Sequence, residues 1–200
     1  MTQDTHTDSP ALSTRDSDGT ALGTRVVLVA DSDPAVTDEL ATHLRSGFTV
    51  RTAYDSADAL AALDPDVGVV LLDPDLAGLS ARRVLDRATT DTVDCQVAAL
   101  AAEATSVDGT AFDEILLKPI APDHLRETVD RLARRSAYRT GLAEYYALAQ
   151  RFGSLSPDDP EYDRLTAQLV ELSDQLDEVF DTLDGDEAYD AALRELDAPK

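Results

Sequence analysis

From Val26 onward, short apolar runs alternate with stretches in which apolar positions recur three or four residues apart. The runs cover 26–30, 48–53, 67–72, 95–101 and 114–117, and the earlier ones are rich in β-branched residues, which predicts strands. Between them, Val36, Leu40 and Leu44, then Ala59, Leu60 and Leu63, then Val84, Leu85 and Ala88 mark helical faces. Asp33-Pro34 and Ser80 suit helix starts, because a short polar side chain can accept from the orphan amides of the first turn and proline is preorganised for it. After residue 118 the pattern is helical. Leu125, Val129 and Leu132 form one face, and Tyr138, Leu142, Tyr145, Ala149 and Phe152 continue it almost without a break. A turn is expected over 153–159. Pro160 then opens a helix with the seam Tyr162, Leu165, Leu169, Leu172, Leu176, Val179 and Leu183.

Nearly continuous apolar runs mean strands buried on both faces, so the repeated strand and helix units predict an α/β fold with a parallel sheet covered by helices. The second run, Phe48 to Ala53, instead alternates apolar with polar, as an edge strand does. Five strands with the second at the edge suit the flavodoxin-like order 2-1-3-4-5, in which chemistry gathers beyond the carboxyl ends of strands 1 and 3. The two C-terminal stripes suit an antiparallel helical hairpin, or a pairing between two chains in a homodimer. The organisation expected is a disordered acidic tail over 1–24, an α/β domain over 25–135, a helical hairpin over 136–184 and a short terminal helix or tail over 185–200.

Composition narrows the function. Forty Asp and Glu against 17 Lys and Arg give a net charge of −23, which argues against nucleic-acid binding through a basic surface. The acid is mostly Asp, and the only lysines are Lys118 and Lys200. Such a surface suits a halophilic setting, since in molar salt the Debye length falls to ~3 Å and exposed like charges barely repel. At 43% hydrophobic residues a wholly disordered chain is excluded. The apolar runs fall far short of the roughly 20 residues that span a bilayer, and 1–24 has no basic segment followed by an apolar one, so a cytoplasmic chain without a membrane partner is expected. Cys95, the one cysteine, suits a buried thiol. His6, His43 and His124 show no metal-ligand spacing. Arg126, Arg131, Arg134, Arg135 and Arg139 form a basic stripe, expected to be a solvated face laced with acids.

The first strand runs into Asp31-Ser32-Asp33, the third ends in Asp73 and the fifth in Lys118-Pro119. Carboxylates from separate loops make a hard oxygen site for Mg²⁺, and one Lys supplies a point charge for a phosphoryl oxygen. An aspartate so placed can act as a nucleophile toward phosphorus. Asp33 is equally well explained as the N-cap before Pro34, and Asp31 as one more acid in an Asp-rich chain. Lys118 stands out in a chain that has almost eliminated lysine.

Residues 26–34, 69–78 and 116–119 resemble the three motifs of response-regulator receiver domains, a likeness covering about 25–135. It implies phosphorelay (two-component) signalling with a histidine kinase as partner, and Asp73 as phosphoacceptor. Lys118 would contact the phosphoryl group. Asp31, Asp73 and the Asp75 backbone carbonyl would hold Mg²⁺, with Ser32 and Asp33 flanking the acidic pocket. The peptide before Pro119 is often cis in that family. The departures are specific. Ser32 replaces the second acid of the usual pair, and a hydroxyl is a poorer Mg²⁺ ligand than a carboxylate. Ala101 replaces the hydroxyl residue that ends the fourth strand, Ile115 the aromatic switch residue, and Ala77 a proline. The alternative is therefore a pseudo-receiver acting as an unphosphorylated scaffold. Activity on a separate substrate is not expected, only self-phosphorylation and autodephosphorylation. Residues 69–75 also resemble the first motif of haloacid-dehalogenase-type phosphatases, which would make Asp73 a nucleophile and Asp75 an acid/base, although that family needs further strands where this chain turns helical. Residues 136–184 resemble the HalX domain found behind receivers in halophilic archaea, through Glu144-Tyr145-Tyr146 and the Glu161-Tyr162…Leu165 start of the second helix.

Overall fold

The structure, a computed structural model, describes residues 26–78, 80–90, 93–103 and 111–183. The expected tail over 1–24, the terminal segment over 185–200 and His6 lie outside the described residues.

Five parallel strands form one sheet, β1 (Val26–Ala30), β2 (Thr49–Ala53), β3 (Val67–Leu72), β4 (Gln96–Ala101) and β5 (Glu114–Leu117), in the order β2-β1-β3-β4-β5. Every residue of β1, β3 and β4 is buried, whereas β2 and β5 are mostly half-buried, as edge strands are. The alternation of side chains splits the interior into two layers. Leu28, Ala30, Val70 and Leu72 face one side with Ala59, Leu63, Val84 and Leu85, while Val27, Val29, Val69 and Leu71 face the other with Leu40, Leu44, Leu125, Val129 and Leu132. Thus α2 (Ser56–Ala62) and α3 (Ala81–Ala88) cover one face, and α1 (Pro34–Leu44) with the first part of α4 (Pro122–Phe152) covers the other. Fully burying side chains of this size is worth ~1.5–3 kcal/mol each, so the two layers dominate the stability.

The helix starts follow local chemistry. Asp33 Oδ1 accepts from Ala35 N at 2.9 Å ahead of Pro34, and Ser80 Oγ accepts from Arg82 N at 3.1 Å, the two starts read from sequence. Asp55 caps α2 by accepting from Ala57 and Asp58.

The apolar face expected to continue past 135 almost without a break lies on a single helix. Helix α4 runs for 31 residues, about 46 Å at 1.5 Å per residue, far longer than the sheet it covers. Ser136 and Ala137 at the expected boundary are buried. The helix ends at Gly153, and α5 (Tyr162–Phe180) returns antiparallel, with Phe152 against Tyr162 (ring centroids 4.8 Å) and Tyr138 against Phe180 (5.8 Å). The hairpin therefore closes within one chain. Helix α5 starts at Tyr162 rather than Pro160, because Asp159 takes both the Glu161 N–H (2.9 Å) on its side chain and the Tyr162 N–H (3.0 Å) on its carbonyl, holding Pro160 in the turn. Of the expected seam, Leu165, Leu172, Leu176, Val179 and Leu183 are buried, while Tyr162 and Leu169 are half-buried.

The basic stripe on α4 is not simply solvated. Arg131 reaches Glu114 on β5 at 2.6 Å, Arg139 pairs with Asp94 just before β4, and Arg126 Nε donates to the His43 carbonyl at 3.1 Å. These arginines fasten the helix to the sheet domain. His43 lies 3.9 Å from Glu39, and His124 is exposed.

Candidate functional site

The residues at the carboxyl ends of β1, β3 and β5 are brought together by the sheet ladder itself, which continues one residue past the strands. Asp31 N donates to the Ala53 carbonyl (3.2 Å), Asp73 N to Ala30 (2.9 Å) and Lys118 N to Ala101 (2.9 Å). The Lys118-Pro119 peptide is cis, as the sequence resemblance implied. Lys118 Nζ lies 2.5 Å from Asp31 Oδ2 and 2.6 Å from Asp73 Oδ2, so one ammonium bridges two carboxylates separated by 42 residues of sequence. Asp31 is 2% exposed, Asp73 15% and Lys118 22% at the side chain. Burial pulls the lysine down, but its hydrogen bonds to Asp31 and Asp73 outweigh that and hold it above the ordinary lysine value, so the ammonium stays charged.

The remaining oxygens are occupied. Asp31 Oδ1 accepts from Asp33 N (2.9 Å), and Asp73 Oδ1 accepts from Asp75 N (2.7 Å). Thr37 Oγ1 donates to the Asp31 carbonyl at 3.0 Å, tying α1 to the pocket. Asp33 is exposed and serves α1 as its cap, and Asp75 is exposed beyond the turn after β3.

Ser32 does something its sequence position did not announce. Its Oγ accepts from Ala77 N at 2.7 Å, joining the loop after β1 to the loop after β3, while the Ala77 carbonyl accepts from Ser56 N at 2.8 Å. The peptide groups of Ala77 are thus clamped from both sides. Gly78 follows with φ +104°, and a Cβ there would sit 2.5 Å from Ser56 Oγ, so both its conformation and the space exclude a side chain. Ser56 is the positioning residue that sequence reasoning missed, while Ser32, expected at the edge of the pocket as a poor metal ligand, instead joins the two loops. An isolated serine carries no periodic signal, and only Gly78 in a loop hinted at a tight approach.

Among the residues expected to switch, Ala101 presents a buried methyl at the end of β4. Ile115 lies half-buried on β5, paired with Ala99.

These residues fit a divalent metal poorly. Mg²⁺ is usually held by one or two carboxylates together with water, but here both carboxylates, Asp31 and Asp73, already share the Lys118 ammonium, and the Ser32 hydroxyl that stands beside them is engaged with a backbone amide. No cluster of three or more His, Cys, Asp or Glu suited to a metal occurs among the described residues.

A doubly wound five-stranded sheet with an Asp-Lys-Asp pocket at its carboxyl edge is the CheY-like receiver fold. A response-regulator receiver domain protein (CheY-like) from Methanospirillum hungatei superposes with a TM-score of 0.51 at 20% identity, covering 57% of this chain and 97% of that one. No protein-family model matches the chain. Among curated proteins, one from Haloferax volcanii, whose name marks it as a candidate transcriptional regulator, is 33% identical over 189 residues, 93% of this chain and 31% of the relative. An uncharacterized response regulatory protein of Vibrio vulnificus is 31% identical over 140 residues, 66% of this chain and 54% of the relative. The chain therefore spans about a third and about half of the lengths of these two relatives. The similarity to the Haloferax protein extends beyond the sheet domain into the helices after it. No helix among the described residues is long and apolar enough to cross a membrane.

Proposed function

We propose that this chain is the receiver-type module of a two-component phosphorelay, in which Asp73 accepts a phosphoryl group from a histidine kinase and the α4–α5 hairpin, HalX-like in sequence, serves output or association. The observation that carries this reading is the bridge from Lys118 to Asp73 and Asp31, which sets an aspartate at a strand end beside a fixed positive charge. In the transfer, a carboxylate oxygen of Asp73 forms a bond to phosphorus. The bond from phosphorus to the donor nitrogen breaks, and the leaving imidazole keeps the electron pair and takes a proton. Lys118 neutralises the added charge. The name of the Vibrio relative is consistent with this role.

A second reading, a pseudo-receiver that works as a scaffold, is favoured by Ala101, which has no hydroxyl to report a phosphoryl group. The phosphatase reading gains no support, since the described chain after β5 is helical where that family needs further strands.

Intact-protein mass after incubation with a small phosphodonor in high salt, with and without Mg²⁺, tests the proposal. One phosphoryl adduct, absent in Asp73→Asn, is expected. No adduct in wild type under either condition leaves the scaffold reading standing in its place.

A further inference from the structure

The pocket faces two physical problems. Asp31 and Asp73 converge in it, and carboxylates drawn out of water repel unless a cation sits between them. The loops after β1 and β3 that carry them also need to be held at a fixed separation. A divalent cation would solve both problems at once, by neutralising the pair and by taking ligands from the two loops.

The side chains present here solve them separately. Lys118 Nζ, at 2.5 and 2.6 Å from the two carboxylates, is the shared cation, and it is positioned by its own backbone bond to Ala101. The two carboxylate oxygens that do not face the lysine each accept a backbone N–H, from Asp33 and from Asp75. The loops are joined directly by the Ser32 Oγ to Ala77 N bond at 2.7 Å, across 45 residues of sequence. The Ala77 carbonyl is anchored in turn to Ser56 N. The Ser32 hydroxyl, which stands where a further acid could have served as a metal ligand, is therefore already the link between the loops. A divalent ion binding here would have to displace the ammonium from a buried carboxylate.

We infer that the strand-end pocket keeps its geometry without a divalent metal, with Lys118 as its built-in cation and the Ser32–Ala77 hydrogen bond as the fastening between its two loops. The inference concerns the cation and the fastening, and it holds whether or not Asp73 is phosphorylated.

Mn²⁺ and Mg²⁺ titrations of the full chain in high salt test it, read by Mn²⁺ electron paramagnetic resonance and by thermal melting. The acidic surface binds some cation non-specifically, so the decisive quantity is the difference between wild type and Asp73→Asn. No difference is expected, with melting shifts agreeing within about 1 °C. Ser32→Asp is expected to gain a Mn²⁺ site that the double variant with Asp73→Asn lacks. A saturable site in wild type that disappears in Asp73→Asn would overturn the first half. For the fastening, amide hydrogen exchange at Ala77 is expected to speed by about tenfold or more in Ser32→Ala and to return in Ser32→Thr, with the β3 amides unchanged. An Ala77 amide indifferent to Ser32→Ala overturns the second half. The phosphodonor experiment separates this inference from the proposed function. An adduct that forms in the presence of a chelator supports both. One that requires Mg²⁺ overturns the inference and leaves the function intact. No adduct, together with a titration showing no difference, sinks the function and supports the inference.

Discussion

The sheet domain and the helical hairpin are built from the same apolar residues and hold together differently. In the sheet, Leu28, Leu71, Leu72 and Leu100 are fully enclosed because each strand is covered by two neighbours and by helices above and below. In the hairpin, α5 packs chiefly on α4 among the described residues, and while Leu165, Leu172, Leu176 and Val179 are covered, Tyr146, Val170 and Phe180 lie open. Helix α4 belongs to both regions, since its first turns complete the core with Leu125, Val129 and Leu132 and its later ones carry the hairpin. Enclosure from several directions makes the sheet a rigid platform for a site needing tenths of an ångström. The hairpin gains order chiefly from one partner, and local opening costs least where the fewest elements pack.

The sharpest way to break this comparison is to make the same truncation in both halves. Leu71→Ala removes a fully buried side chain between β1 and α4 and is expected to cost about 2–5 kcal/mol, lowering the denaturation midpoint of the whole chain. A cost well under this would mean the sheet collapses around the cavity more easily than its enclosure implies. Lys118→Met comes next, at about 1–3 kcal/mol, because it leaves the buried Asp31 carboxylate without its cation. Chemical denaturation compares it with Lys118→Arg, which keeps a charge, and equal losses in the two variants would show that the lysine matters for shape and not for charge. Leu172→Ala is expected to cost only about 1–2 kcal/mol, because its site can relax toward solvent. Hydrogen exchange should speed across 165–179 while β3 keeps its protection. Equal acceleration in β3 would mean the two halves unfold as one unit.

The contrast also decides what could be read in advance. Buried parallel strands leave nearly unbroken apolar runs, so β1, β3 and β5 lie where the runs are, and β2 and β4 begin one residue later than their runs. The alternation of β2 set it at the edge, and from that the strand order and the meeting of Asp31, Asp73 and Lys118 followed. Links between residues far apart with no periodic partner stayed hidden. Ser32 read as a weakened metal ligand, yet its hydroxyl holds Ala77. Arg131 and Arg139 read as solvated charges on a helix face, yet they meet Glu114 and Asp94 in the sheet domain. Charge patterning along a helix shows which residues share a face and is silent on what that face meets. The start of α5 was misplaced because Pro160 fits a helix start as well as a turn, and Asp159 settles the matter by taking the next two amides.

The smallest expected effect is the dependence of the platform on alkaline pH. Lys118 is held above its ordinary value of 10.5 in the folded chain, since the hydrogen bonds to Asp31 and Asp73 outweigh the effect of burial. A raised value means that the folded state holds the proton more tightly than the unfolded state. The stability this contributes is complete below pH 10.5 and is lost as pH rises through the folded value. The difference between the unfolding free energies of wild type and Lys118→Met isolates the lysine, since every other titrating group is common to both chains. That difference is expected to stay constant from neutral pH to the ordinary lysine value and to shrink above it. A difference that already narrows near neutral pH would mean the ammonium gives up its proton easily, and the bridge between Asp31 and Asp73 would then be too weak to set the geometry of the pocket.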